Sequence, residues 1–122
     1  MNISSYQDLI VWQKSIELVT EIYLLTEKFP KEEIYGLSSQ MRRAAVSIPS
    51  NIAEGKLRGT RKDYRHFVLN AFGSGGELET HIFIAQKLPK TKDLDYTKAN
   101  VLLNGIMRML NRLITTLNAP KT

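Results

Sequence analysis

Apolar side chains recur along this chain at three- and four-residue steps, and nowhere do they alternate with polar ones over a useful length, so the pattern is helical throughout. Its best-organised stretch covers residues 37–54. There Leu37, Met41, Ala44, Ile48 and Ile52 follow at steps of four, three, four and four, and the apolar face keeps its register through Pro49. One helix bent at Pro49 fits this better than two short ones, although an interior proline removes the bond to the carbonyl of Ala45 and costs about 3 kcal/mol. A first helix is expected over residues 6–29, with Ser5 and Asp8 as N-cap and third-position acid, a core stripe of Leu9, Trp12, Ile16, Val19 and Tyr23, and Pro30 as its stop. Gly55 reads as the C-terminal cap of the second helix. Thr60 and Asp63 open a third helix over residues 61–88, built on Tyr64, Phe67, Ala71, Gly75, Leu78, Ile82 and Ala85 and ended by Leu88-Pro89. Ala99, Leu103, Ile106, Leu110, Leu113 and Leu117 carry a fourth over residues 96–118. Four helices joined by short connections in one 122-residue domain predict an up-and-down antiparallel four-helix bundle whose second helix is kinked at Pro49.

Three helices are apolar over more of their circumference than one core requires. On the first, Val11, Leu18, Ile22 and Leu25 form a second stripe, and both stripes together span about 200° against the 100° or so that suffices. On the second, Val46, Pro49 and Ala53 widen the arc on one flank, while Gln40, Arg43, Ser47, Ser50 and Glu54 form a polar row on the other. That row reads as a solvated face or as a polar strip at a subunit contact. On the third, Phe72 and Phe83 fall within about 20° of one another with Gly76 between them, away from the core stripe. Gly73, Gly75 and Gly76 lie mid-helix, where each costs about 1 kcal/mol relative to alanine, and close approach of another backbone would explain them. In an isolated bundle these surplus residues would be exposed, so Val11, Leu18, Ile22, Leu25, Val46, Pro49, Ala53, Phe72, Gly76 and Phe83 are the expected surface for self-association.

Charge changes the picture in the middle of the chain. The net charge is +5, but residues 1–37 carry −3, residues 38–65 carry +5 and residues 66–122 carry +3. A partner drawn by charge first meets Arg42, Arg43, Lys56, Arg58, Arg61, Lys62 and Arg65. Arg61, Lys62 and Arg65 occupy the first turns of a helix, where a positive side chain opposes the macrodipole, so local stability does not account for them. Phosphate oxygens held by these side chains and by the free N–H groups would, which makes the segment a candidate nucleic-acid surface reading backbone charge and shape. Apart from Tyr64 no aromatic residue is interleaved there, so base stacking is not indicated. An ordinary solvated basic loop is the competing reading.

Enzyme chemistry finds little footing. His66 and His81 would stand about 22 Å apart on one helix and cannot share a metal. A bundle di-iron site needs Glu-x-x-His on two helices, whereas Asp63-x-x-His66 occurs once and Leu78 stands where an acid should precede His81. No catalytic residue, metal or cofactor is expected. The absence of cysteine fits a cytoplasmic protein, and with no long apolar run and no basic-then-apolar N-terminus the expectation is a soluble chain that is neither exported nor membrane-bound.

The stretches Asp8-Leu9-Ile10-Val11-Trp12-Gln13-Lys14, Phe29-Pro30 with Glu33, Tyr35-Gly36-Leu37, and above all the run from Gln40 to Gly55 around Arg42-Arg43-Ala44-Ala45-Val46-Ser47-Ile48-Pro49 resemble a bacterial family of four-helix-bundle proteins linked to 23S rRNA intervening sequences. Gly73-Ser74 and Glu77-Leu78-Glu79-Thr80 extend the likeness to about Leu88. The resemblance implies a four-helix bundle assembling as a ring-like homopentamer, without catalytic residues. It also implies kinship with the accessory variability proteins of diversity-generating retroelements, which bind RNA or DNA and a reverse transcriptase. The Gly75-Gly76 pair departs from the bulkier or polar residues expected after Gly73-Ser74.

Overall fold

Ser5 and Asp8 do cap a chain start, the Asp8 carboxylate accepting the Ser5 N–H at 3.2 Å and the Ser5 hydroxyl accepting the Gln7 N–H at 3.1 Å. What they cap is a single 3₁₀ turn, Tyr6–Asp8, because Leu9 is extended (ψ 127°) and the first α-helix begins only after it. The computed structural model describes residues 5–118, and every regular element among them is helical: α1 (Ile10–Thr26), α2 (Leu37–Arg58), α3 (Arg61–Ala85) and α4 (Thr97–Asn118), with a further 3₁₀ turn at Lys31–Glu33. α2 is unbroken at Pro49. It also continues past Gly55, which is buried in its interior, and stops at Gly59 in the left-handed region (φ +86°). Gly55 serves packing rather than termination: a Cβ there would lie 2.8 Å from Phe67 Cβ and 3.2 Å from the Tyr64 carbonyl oxygen, so α2 and α3 can approach only over a glycine.

Each helix packs on two neighbours, α1 on α2 and α4, and α3 on α2 and α4, while the backbones of the diagonal pairs stay further apart. Contacts along the seams run in opposite directions, as an up-and-down bundle requires. Arg42 near the start of α2 meets Thr26 at the end of α1, and Arg61 at the start of α3 meets Thr116 near the end of α4. Midway, Ser47 and Ser74 share a hydrogen bond at 2.8 Å between α2 and α3, and the Asn51 amide donates to the Ser47 hydroxyl at 2.9 Å. The core column consists of Leu18, Ile22, Met41, Ile48, Ile52, Val68, Leu78, Ile82, Leu103, Ile106 and Leu110. Each fully buried aliphatic side chain of this size contributes about 1.5–3 kcal/mol.

On α1 the two apolar stripes have exchanged the roles the sequence suggests. Val11, Leu18, Ile22 and Leu25 are buried in the bundle, while Ile16 and Tyr23 are exposed and Leu9, Trp12 and Val19 lie half-buried on the flank. The reason lies in Ser15 and Thr26. Both belong to the buried stripe, and each hydroxyl is satisfied within its own helix, Ser15 donating to the Trp12 carbonyl and Thr26 to the Ile22 carbonyl, both at 2.7 Å. A hydroxyl bonded in this way enters a core at little cost, so the inward face looks more polar in sequence than it behaves.

Self-association through Val11, Leu18, Ile22, Leu25 or Pro49 is thereby corrected, because these side chains are already enclosed within one protomer. The rest of that expected surface does reach the outside: Val46 and Phe83 are exposed, and Ala53, Phe72 and Gly76 are half-buried. Of the three glycines of α3 only Gly75 meets a neighbour, the Met107 thioether of α4, which occupies the place of its missing Cβ. Gly73 and Gly76 face open space.

Candidate nucleic-acid interface

Gly59 and Thr60 alone separate α2 from α3, so the last turn of one helix and the first turns of the other present their side chains together. The Thr60 hydroxyl accepts the Asp63 N–H at 3.1 Å and opens α3 as its sequence predicts. Around this corner stand Lys56, Arg58, Arg61, Lys62 and Arg65. Lys56 lies over the Tyr64 ring (5.4 Å) and Arg58 over the Phe67 ring (5.0 Å), so the aromatics of α3 seat the cations of α2. Arg58 also pairs with Glu54 at 2.9 Å, on exposed side chains where such a pair contributes about 0–1 kcal/mol. Arg61 donates to the Thr116 carbonyl at 2.6 Å, a cation placed at the negative end of α4. Lys62 is exposed. Arg65 is half-buried, with its Nε enclosed and lacking a hydrogen-bond partner among the described residues. Burial pushes the Tyr64 phenol above its ordinary value, so the ring beneath Lys56 stays neutral at physiological pH.

Two grooves meet at Arg61 and Leu117. One, of about 440 Å³, runs between Lys56, Thr60 and Tyr64, and the other, of about 560 Å³, between Lys62, Arg65 and His66. Cationic side chains thus border both sides of the corner, with Asp63 and the already paired Glu54 as the nearby acids. Chemically the arrangement suits phosphate oxygens. The Tyr64 and Phe67 rings lie beneath cations and are not free to stack on a base.

Arg42 and Arg43 do not join this cluster. Arg43 stands about 22 Å from Arg58 along α2 at 1.5 Å per residue. Arg42 is tied to α1, its Nε donating to the Thr26 hydroxyl at 2.8 Å and its guanidinium lying 4.4 Å from the Tyr23 ring centre. The aromatic seats and the Thr116 carbonyl escape a linear reading because they become neighbours only when α2 turns into α3 and α4 returns alongside. The two-residue connection was the available signal, for it sets Lys56 and Arg58 opposite Tyr64 and Phe67. The histidines remain apart: His66 is exposed, and His81 is buried with Nε2 3.7 Å from the Glu77 carboxylate. No group of three or more potential metal ligands occurs among the described residues, and no helix there is long and apolar enough to cross a membrane.

A comparison with curated proteins found no match. The profile of the family described as 23S rRNA-intervening sequence protein matches residues 7–112, from the capping turn ahead of α1 into the fifth turn of α4 and so across all four helices. With that extent of the 122 residues covered and a four-helix bundle observed, the chain belongs to the 23S rRNA-intervening sequence protein family.

Proposed function

We propose that this protein is a non-enzymatic, self-associating bundle that holds nucleic acid by its phosphate backbone at the α2–α3 corner. The observation that carries the reading is the gathering of Lys56, Arg58, Arg61, Lys62 and Arg65 around a two-residue turn and two grooves. The family's name refers to 23S rRNA, which makes structured RNA the first ligand to try beside duplex DNA. Self-association, as the homopentamer the resemblance implies, draws support from the outer face of α3, where Phe83 is 61 % exposed next to the exposed Ile84, with the open Gly76 about two turns before it. A ring would repeat the basic corner once per subunit and so strengthen a weak contact by multivalency.

The test follows binding of duplex DNA and of a structured RNA by fluorescence anisotropy across a salt series. Each engaged phosphate contributes about −0.9 to the slope of log affinity against log salt on duplex DNA. Arg58→Ala, Arg61→Ala and Arg65→Ala together reduce that slope by up to three contacts' worth per engaged subunit, whereas Arg108→Ala on the outer face of α4 changes it little. Binding by the triple variant equal to that of the parent at low salt would refute the reading and favour a scaffold that joins protein partners. Light scattering on a sizing column tests the assembly separately, and a concentration-independent mass of 13.9 kDa would sink it.

A further inference from the structure

At the opposite end of α2 lies a groove of about 550 Å³ with a different character, lined by Tyr23, Ile34, Arg42, Arg43, Val46 and the Ser39 hydroxyl edge. Its apolar members are open to solvent: Tyr23, Val46 and Ile34 are all exposed, Ile34 to 53 %, and the adjoining Tyr35 to 97 %. Large apolar side chains bared together in this way mark a contact surface. Between them stand two guanidinium groups, and neither is paired with a carboxylate among the described residues. Arg42 is moreover held in place. Of the five N–H donors of its guanidinium, one reaches the Thr26 hydroxyl at 2.8 Å and one the Tyr23 carbonyl at 3.4 Å, and its plane rests on the Tyr23 ring. A fixed cation with donors to spare beside apolar contacts suits a carboxylate, which guanidinium binds in a fork.

We infer that this groove seats a short acidic segment of a partner protein, with carboxylates on Arg42 and Arg43 and an adjoining aliphatic or aromatic side chain against Tyr23, Ile34 and Val46. Charge complementarity selects the acid, and the apolar lining selects its neighbour. An extended polyanion fits less well, because covering Ile34 and Val46 with phosphate buries apolar surface without return. The site shares no residue with the basic corner and does not depend on that reading.

The probe is a short fluorescein-labelled peptide of Asp, Glu, Leu and Phe, compared with the same peptide in which every acid is replaced by its amide, both titrated with the full chain. The acidic peptide binds, and the amide peptide binds about tenfold or more weakly. Arg43→Glu and Val46→Asp, both at exposed positions and checked for unchanged helix content, each weaken binding of the acidic peptide by a similar factor. Arg58→Ala leaves it unchanged, and excess duplex DNA does not displace it. Absence of binding, equal binding of the amide peptide, or indifference to Arg43→Glu and Val46→Asp would overturn the inference. Displacement by duplex DNA would also overturn it, placing the peptide at the α2–α3 corner as a mere polyanion and leaving the proposed function standing.

Discussion

At the start of α2, Arg42 is drawn onto Tyr23 and hydrogen-bonded to Thr26 of the neighbouring helix, while at its end Lys56 and Arg58 lie over Tyr64 and Phe67 and Lys62 projects freely around the corner. Both ends use a cation on an aromatic ring, but the surroundings differ. The first end adds apolar side chains open to solvent, and its two guanidiniums pair with no carboxylate among the described residues. The second adds more cations and keeps its aromatics covered. Charge count alone would merge the two regions into one basic stretch, and it is the neighbours of each cation that separate a surface suited to peptide from one suited to phosphate.

The most damaging way to break the comparison is to force the corner open. Gly55→Val places new atoms against Phe67 Cβ and the Tyr64 carbonyl, neither of which is the free end of a side chain. A loss of about 1–3 kcal/mol in urea unfolding is expected, together with weaker nucleic-acid binding. Gly73→Ala, where the added methyl meets nothing, is the contrast and gains up to about 1 kcal/mol. An equal loss at both positions would show that glycine flexibility, and not the close approach of α2 to α3, is what matters.

A milder change sharpens it. Arg42→Met removes a hydrogen bond across the α1–α2 seam and a cation resting on Tyr23, together about 1–2 kcal/mol. It should lower the thermal midpoint without altering the salt dependence of DNA binding. A flatter salt slope for this variant would reunite the two ends of α2 into one binding surface.

The smallest effect concerns pH. Lys90 and Glu32 meet at 2.7 Å, joining the α1–α2 and α3–α4 connections at one end of the bundle. The hydrogen bond from Lys90 holds the Glu32 carboxyl below its ordinary value of 4.5, and Glu32 likewise raises Lys90 above 10.5. The Glu32 contribution is therefore complete above the unfolded value and disappears as pH falls through the lower folded one; that of Lys90 is complete below its ordinary value and disappears as pH rises through the raised one. Lys90→Gln should narrow the drop in thermal midpoint between neutral and acidic pH, slightly, since both groups are solvent-exposed. No change on either the acid or the alkaline side would mean that the pair does not hold in solution.

α4 was legible almost to the residue because its polar and apolar faces are cleanly divided, and α2 was legible through Pro49 because the apolar register never slips there. α1 was legible as a helix but not as a facing. Trp12 and Tyr23 are large and looked like core, whereas Ser15 and Thr26 conceal their hydroxyls within the helix and make the true inward stripe look mixed. Gly55 was misplaced for a related reason: a glycine that lets helices touch and a glycine that ends a helix are the same letter, and only the distance to Phe67 tells them apart. The cations of the corner were visible in sequence, but their division from Arg42 and Arg43 depends on which ring lies beneath each one, and that follows from the fold.

The closed square of helices has a consequence for the order in which the protein is made. Of these four helices α1 leaves the ribosome before the others, yet it packs on α2 and on α4, the fourth in order of synthesis. Val11, Leu18, Ile22 and Leu25 therefore remain only partly covered throughout translation, while α2 and α3, joined by two residues, complete their own seam midway. For a growing chain the vulnerable surface is neither of its two candidate contact sites but the inward face of the oldest of the four helices, which waits for the youngest of them.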